Sequence, residues 1–231
     1  MQLVILCGGL GTRLKKISKN KPKGLLKING KFFLEHLIES VLPHDFYSLH
    51  FCLGHKSDQY INFLNKKKYN FKYTYSIEKE NNLLGTGGAI KNAIPNLKDN
   101  FVLQYGDTIL NIDYSKFYSE HLKNKKDMSM SIISSQLSSE IPNVFCRNID
   151  NEKYNCIYKK KFPPKDANFI DYGAIIFRRS IFEKIKKMKF DLSEVQQTLS
   201  SRQKAFFYEV KNPYIEIGNP NSYEKAFKLL Q

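Results

Sequence analysis

Leu6-Cys7-Gly8-Gly9-Leu10-Gly11-Thr12-Arg13-Leu14 closes the apolar run Gln2–Leu6, and Pro22-Lys23 follows it. The run reads as a buried strand. The glycines then form a turn at its C-terminal end, the edge at which α/β sheets bind ligands. Three loop chemistries use such glycines. A dinucleotide fingerprint needs G-x-G-x-x-G, but Leu14 stands where the third glycine would let helix and strand pack closely. A P-loop needs G-x-x-x-x-G-K-[ST], and the chain has no such string. The third reading is a loop for a nucleoside triphosphate. Gly8, Gly9, Gly11 and Thr12 offer backbone N–H groups that wrap phosphate oxygens. Arg13 adds a planar bidentate donor, and Lys23 adds a second cation on a backbone stiffened by Pro22. The polar stretch Lys15–Lys21 between them has the composition of a loop that closes over a polyphosphate.

Outward from this loop, strand and helix alternate. Helical periodicity marks 32–42, with Phe33, Leu37, Ile38, Val41 and Leu42 on one face. It also marks 57–64 with Ile61 and Leu64 inward, then 88–97 and 114–123. Strand patterns cover 49–53, 70–77 and 101–105. This β-α-β rhythm predicts an α/β fold, Rossmann-like, with a mainly parallel central sheet flanked by helices. Beyond residue 125 the texture is richer in strands, at 128–134, 144–147, 155–161, 172–178 and 206–210. Helices are expected at 180–188, 192–199 and 221–230. No Pro/Gly/Ser-rich linker divides the halves. The reading is one domain over 1–231, with 1–125 mainly for the nucleotide and 126–231 mainly for a second ligand.

The net charge is +15, from 37 Lys and Arg against 22 Asp and Glu. The lysine runs 66–68, 123–126 and 186–187 end amphipathic segments, so they are read as solvated faces rather than a nucleic-acid surface. The opening apolar stretch is only about six residues and leads into glycines and charges, unlike a signal peptide. No run reaches the roughly 18–20 apolar residues of a membrane span. The expectation is a cytoplasmic protein with no membrane partner. Cys7, Cys52, Cys146 and Cys156 form no C-x-x-C pair and are expected to be buried free thiols.

Gly8-Gly9-x-Gly11-Thr12-Arg13-Leu14 with the trailing Pro22-Lys23 resembles the signature of the sugar-1-phosphate nucleotidyltransferases. These join an NTP to a sugar 1-phosphate and release pyrophosphate. The resemblance extends over nearly the whole chain. It implies that Leu6, the glycines and Thr12 hold the nucleotide, with Arg13 and Lys23 as the catalytic cations. Leu84-Gly85-Thr86-Gly87-Gly88-Ala89 is similar to the family's second nucleotide segment and assigns Gly85, Thr86 and Gly87 to base and ribose. Glu78 leads into it as in members that use GTP. Gly106-Asp107, after the strand 101–105, supplies a hard oxygen ligand where Mg²⁺ would sit. Glu216-Ile217-Gly218-Asn219-Pro220 resembles the family's closing motif, with Glu216 in place of its metal-binding aspartate and Asn219 in place of its threonine.

On the sugar side, Lys161 lies ten residues before Asp171, the spacing of the family's phosphate-binding lysine to its Asn-Ala-Gly. Here that string reads Asp171-Tyr172-Gly173, and Lys160 replaces a glutamate. Gly106, Lys161, Asp171 and Gly173 are therefore assigned to the sugar phosphate. The overall texture is most like D-glycero-D-manno-heptose 1-phosphate guanylyltransferases. Mannose-1-phosphate guanylyltransferases and uridylyl- or cytidylyltransferases remain alternatives. A catalytically silent NDP-sugar-binding regulator is an alternative of another class. The implied ligands are an NTP, with GTP favoured, a sugar 1-phosphate and Mg²⁺. A homodimer stays open.

Overall fold

Gln2–Leu6 (β1) is covered on both faces, as an unbroken apolar strand inside a parallel sheet must be. The computed structural model describes residues 1–67, 69–138, 140–150 and 153–230, so Lys68 of the first lysine run lies outside the described residues. After β1 come α1 (Lys15–Ser18), the two-residue strands β2 (Lys27–Ile28) and β3 (Lys31–Phe32), and α2 (Phe33–Val41). Next are β4 (Ser48–Leu53), α3 (Ser57–Lys67), β5 (Tyr73–Ile77), α4 (Gly85–Ala93) and β6 (Asn100–Tyr105). β7 (Thr108–Ile109), α5 (Tyr114–Asn124), β8 (Met128–Ser134), β9 (Val144–Asp150), β10 (Lys153–Tyr158) and β11 (Phe169–Arg178) follow. The chain closes with α6 (Ser180–Glu183), α7 (Leu192–Ser201), β12 (Ala205–Val210), β13 (Ile215–Glu216) and α8 (Pro220–Leu229).

The main sheet runs β10-β9-β11-β6-β1-β4-β5, with β8 and β12 joined through β11. β1, β4, β5 and β6 pair parallel, as their β-α-β order requires. β11 enters antiparallel beside β6 and so stitches the second half onto the first. Helices on the two faces enclose two apolar cores. One packs α2 and α3 under Leu3, Ile5 and Phe51, and the other packs α4 and α7 against Val4, Leu103 and Ile175.

Several expectations shift in detail. On α2 Leu42 lies outside the helix and is exposed, while Leu34 joins the buried face. On α3 the buried face is Tyr60, Phe63 and Leu64 rather than Ile61 and Leu64. α4 begins three residues early, and it ends at Ala93 because Pro95 turns the chain into a 3₁₀ segment. The helix expected over 180–188 ends at Glu183, because 184–190 must run back to place Phe190 against α4. The strand expected over 155–161 ends at Tyr158.

The cysteine reading is corrected. Cys146 and Cys156 stand directly opposite each other on β9 and β10, with Cα atoms 4.1 Å apart, and form a disulfide. Antiparallel pairing brought together two residues whose spacing carried no pairing signal. Cys7 and Cys52 are the buried free thiols.

Candidate active site

β1 and β6 end side by side, and their C-terminal turns face each other across one cavity of about 250 Å³. Gly106 donates its N–H to the Leu6 carbonyl at 2.9 Å. A Cβ on Gly106 would stand 2.6 Å from Cys7 Sγ, so only glycine lets the two turns approach this closely. Leu6, Gly8 and Gly9 line one wall of the cavity, and Gly106 and Asp107 line another.

Gly11 is in the left-handed region at φ 61°, and it turns the chain into the 3₁₀ segment Thr12–Leu14. Leu14 is 1% exposed, so the residue that breaks the dinucleotide fingerprint is the anchor that pins this loop to the core. Arg13 stays exposed and within electrostatic reach of Glu216. Lys23 Nζ forms an ion pair with Asp107 Oδ2. Two charges assigned from separate motifs therefore meet at one point of the cavity.

Asp107 also reaches the closing motif. β7 and β13 form a two-residue antiparallel ladder that sets Glu216 opposite Thr108, and Ile217 N–H donates to the Asp107 carbonyl at 2.9 Å. Burial pushes the Glu216 carboxyl up, Glu140 and Asp107 push it further, and Ser222 and Arg13 oppose them. A Cβ on Gly218 would lie 2.9 Å from Glu216 Oε2, so the longer side chain folds back over a glycine. Asn219 accepts the Ser222 N–H as the cap of α8 and donates to Glu216 Oε1 at 3.3 Å. The replacements at 216 and 219 thus form one hydrogen-bonded pair.

The opposite wall comes from Glu78, Gly85, Thr86 and Ala89. Glu78 is 6% exposed, and one of its oxygens accepts the Leu84 N–H at 2.6 Å. The other lies beside Gly8, 3.2 Å from where its Cβ would be. Burial raises the Glu78 carboxyl, and the Leu84 N–H opposes that rise. Thr86 Oγ1 accepts the N–H of Leu192 at the start of α7. Gly87 does not line the cavity. Its N–H donates to the Phe190 carbonyl at 3.1 Å, and a Cβ there would meet the Phe190 ring at 2.2 Å. The structure gives Gly87 a packing role against Phe190.

On the sugar side Asp171 sits at an irregularity in β11, where Gly173 takes φ 105° and donates its N–H back to Asp171 Oδ1. Gln196 of α7 donates to Oδ2 at 3.0 Å. Burial pushes the Asp171 carboxyl up to about 6, against the opposing pull of Gln196, Gly173 and Lys160. Lys160 pairs with Asp191 at 3.0 Å and acts on Asp171 through its charge, while Lys161 is exposed with no partner among the described residues. Asp191 and Glu194 form the capping box of α7. Tyr105 connects the two regions, since it lines the cavity and feels both Asp107 and Asp171.

A family model described as "Nucleotidyl transferase" matches residues 2–231. The chain belongs to the nucleotidyl transferase family. It is 31% identical over 224 residues to a D-glycero-alpha-D-manno-heptose 1-phosphate guanylyltransferase of Campylobacter jejuni, covering 96% of this chain and 97% of the relative. The enzyme of that name from Aneurinibacillus thermoaerophilus is 29% identical, covering 100% and 99%. Among solved structures, HddC from Yersinia pseudotuberculosis complexed with GMP-PN superposes with TM-score 0.79 at 31% identity, covering 100% and 99%.

Against that family pattern, Tyr60 and Gly24 line the cavity although no motif marks them. The signal available for Tyr60 was the helical face of α3. His50 and His121 are buried and bonded to Thr74 and Ser76, and to Ser129 and Asn100. Among the described residues no group of three His, Cys, Asp or Glu side chains could hold a metal ion. Asp107 is the carboxylate that lines the cavity beside Lys23, while Glu216, across the β7–β13 ladder, lines a second cavity with Glu140.

Proposed function

We propose that the protein transfers a guanylyl group from GTP to a heptose 1-phosphate, forming an NDP-sugar and pyrophosphate. The observation that carries this reading is the Lys23–Asp107 ion pair at a cavity walled by the Gly8-Gly9 turn and Glu78, with the β7–β13 ladder bringing the backbone of the closing motif to Asp107. An anomeric phosphate oxygen attacks the α-phosphorus in line. The nucleophile is already anionic, so no general base is required, and catalysis is positioning plus charge neutralisation. Lys23 neutralises charge at the α-phosphate, and Arg13 does so on the leaving pyrophosphate. Guanine presents N1–H and N2–H donors, and the Glu78 oxygen that does not take the Leu84 N–H is an acceptor at that wall.

Mg²⁺ takes one or two carboxylates plus phosphate oxygens, so Asp107 would hold it at the cavity, with Glu216, whose carboxyl the Asp107 charge pushes up, as the second carboxylate. When bound, it would offset charge on the phosphates. Asp171 accepts sugar hydroxyls, and the lysine run at 159–161 supplies the field for the sugar phosphate, with Lys160 acting on Asp171 through its charge. On this reading the product feeds surface polysaccharide synthesis from the cytoplasm. No helix among the described residues is long and apolar enough to cross a membrane.

The test is a matrix of the four NTPs against a panel of sugar 1-phosphates, scored by pyrophosphate release. The expected maximum is GTP with a heptose 1-phosphate. Release with a different pair would replace the substrates. No release with any pair, together with NDP-sugar binding, would overturn the enzyme reading in favour of a regulator.

A further inference from the structure

α3 carries no residue of a nucleotide motif, yet it closes one wall of the cavity with Tyr60, which is 2% exposed. The Tyr60 hydroxyl accepts the Gly24 N–H at 3.2 Å. Gly24 directly follows Lys23, the cation paired with Asp107. A Cβ on Gly24 would lie 2.9 Å from the hydroxyl and 3.5 Å from the Gly106 carbonyl. The Lys23–Gly24 turn is therefore pressed between Tyr60 and the turn that carries Asp107.

Packing alone does not account for the oxygen. Phe63 and Leu64, buried on the same helix, are apolar, and a phenylalanine at 60 would fill the same space. The hydroxyl has one proton to donate and a lone pair given to Gly24, and among the described residues that proton has no acceptor. A buried donor left unmatched is destabilising. Burial holds the phenol in its protonated, donating form, with Cys7 and Asp107 acting in the same direction. The cavity in front of it is where an anionic ligand would present acceptor oxygens.

We propose that Tyr60 is a binding and positioning residue of this site: it fixes the Lys23–Gly24 turn through the Gly24 N–H and donates its own proton to a phosphate oxygen of the nucleotide. The inference rests on the nucleotidyl-transfer reading only for the class of ligand. Tyr60→Phe removes one oxygen and keeps the ring. It should weaken equilibrium GTP binding, measured without sugar, and raise the NTP KM, each about tenfold. The sugar 1-phosphate KM should stay at the wild-type value. Gly24→Ala displaces the hydroxyl and should reproduce the nucleotide defect, and the double variant should lose no more than the weaker single variant. Wild-type nucleotide parameters in Tyr60→Phe would overturn the proposal, as would an equal rise in both KM values or additive losses in the double variant. If the wild-type protein prefers another NTP, that NTP replaces GTP in the binding measurement: the guanylyl reading then falls and the Tyr60 test stands. A wild-type protein that binds no NTP overturns both.

Discussion

Lys23 and Asp107 are 84 positions apart and form one ion pair at the cavity. If that pair is the catalytic centre, Lys23→Ala and Asp107→Ala should each abolish pyrophosphate release while circular dichroism and Tm report an intact fold. Near wild-type turnover in either variant would remove the assignment. Glu216 is a subtler case, since its side chain folds over Gly218 and takes a bond from Asn219. Glu216→Asp should keep kcat/KM within about tenfold, roughly 1.4 kcal/mol in the barrier. A larger loss would mean that the site is built around the longer arm. Asp171 makes a prediction about pH. Its folded carboxyl titrates near about 6, whereas an unfolded aspartate titrates near about 3.9. The folded chain thus holds this proton more tightly, so the group favours folding most below pH about 4 and loses that contribution as pH rises through about 6. Asp171→Asn should therefore melt higher than wild type at neutral pH, with the gain vanishing near pH 4. Thermal melts across that range decide it.

At the scale of elements, the loop 184–190 and the start of α4 were built for each other. Phe190 donates its N–H to the Leu84 carbonyl, accepts from Gly87 and Gly88, and lays its ring where a Gly87 side chain would be. Gly87→Ala should overpack this contact and cost about 1–3 kcal/mol, read as a lower urea midpoint at unchanged m-value. Wild-type stability would show that the ring swings aside freely. Periodicity exposed most elements of this protein because their apolar faces are regular. It missed the β7–β13 ladder, since two-residue strands have no period. It extended α6 too far, since the break at 184 serves a contact with a distant helix.

The whole molecule carries a net charge of +15, and ligands of the proposed class are polyanions. Long-range attraction of this kind is screened within about 8 Å at physiological salt. The NTP KM should rise as NaCl is added while kcat changes little. A salt-independent KM would show that the field plays no part in capture. The local chemistry was legible in the chain itself. Gly8, Gly9, Arg13 and Lys23 mark a triphosphate loop, and the alternating apolar runs mark a sheet whose strand ends would carry it, because backbone sterics and hydrophobic period act over a few residues. Tertiary structure alone decided the rest: that Lys160 pairs with Asp191, that Cys146 meets Cys156, that Gly87 packs against Phe190, and that Tyr60 lines the cavity. Each depends on the register and crossing of elements far apart in sequence. Those are set by how whole faces pack together, which no local pattern records.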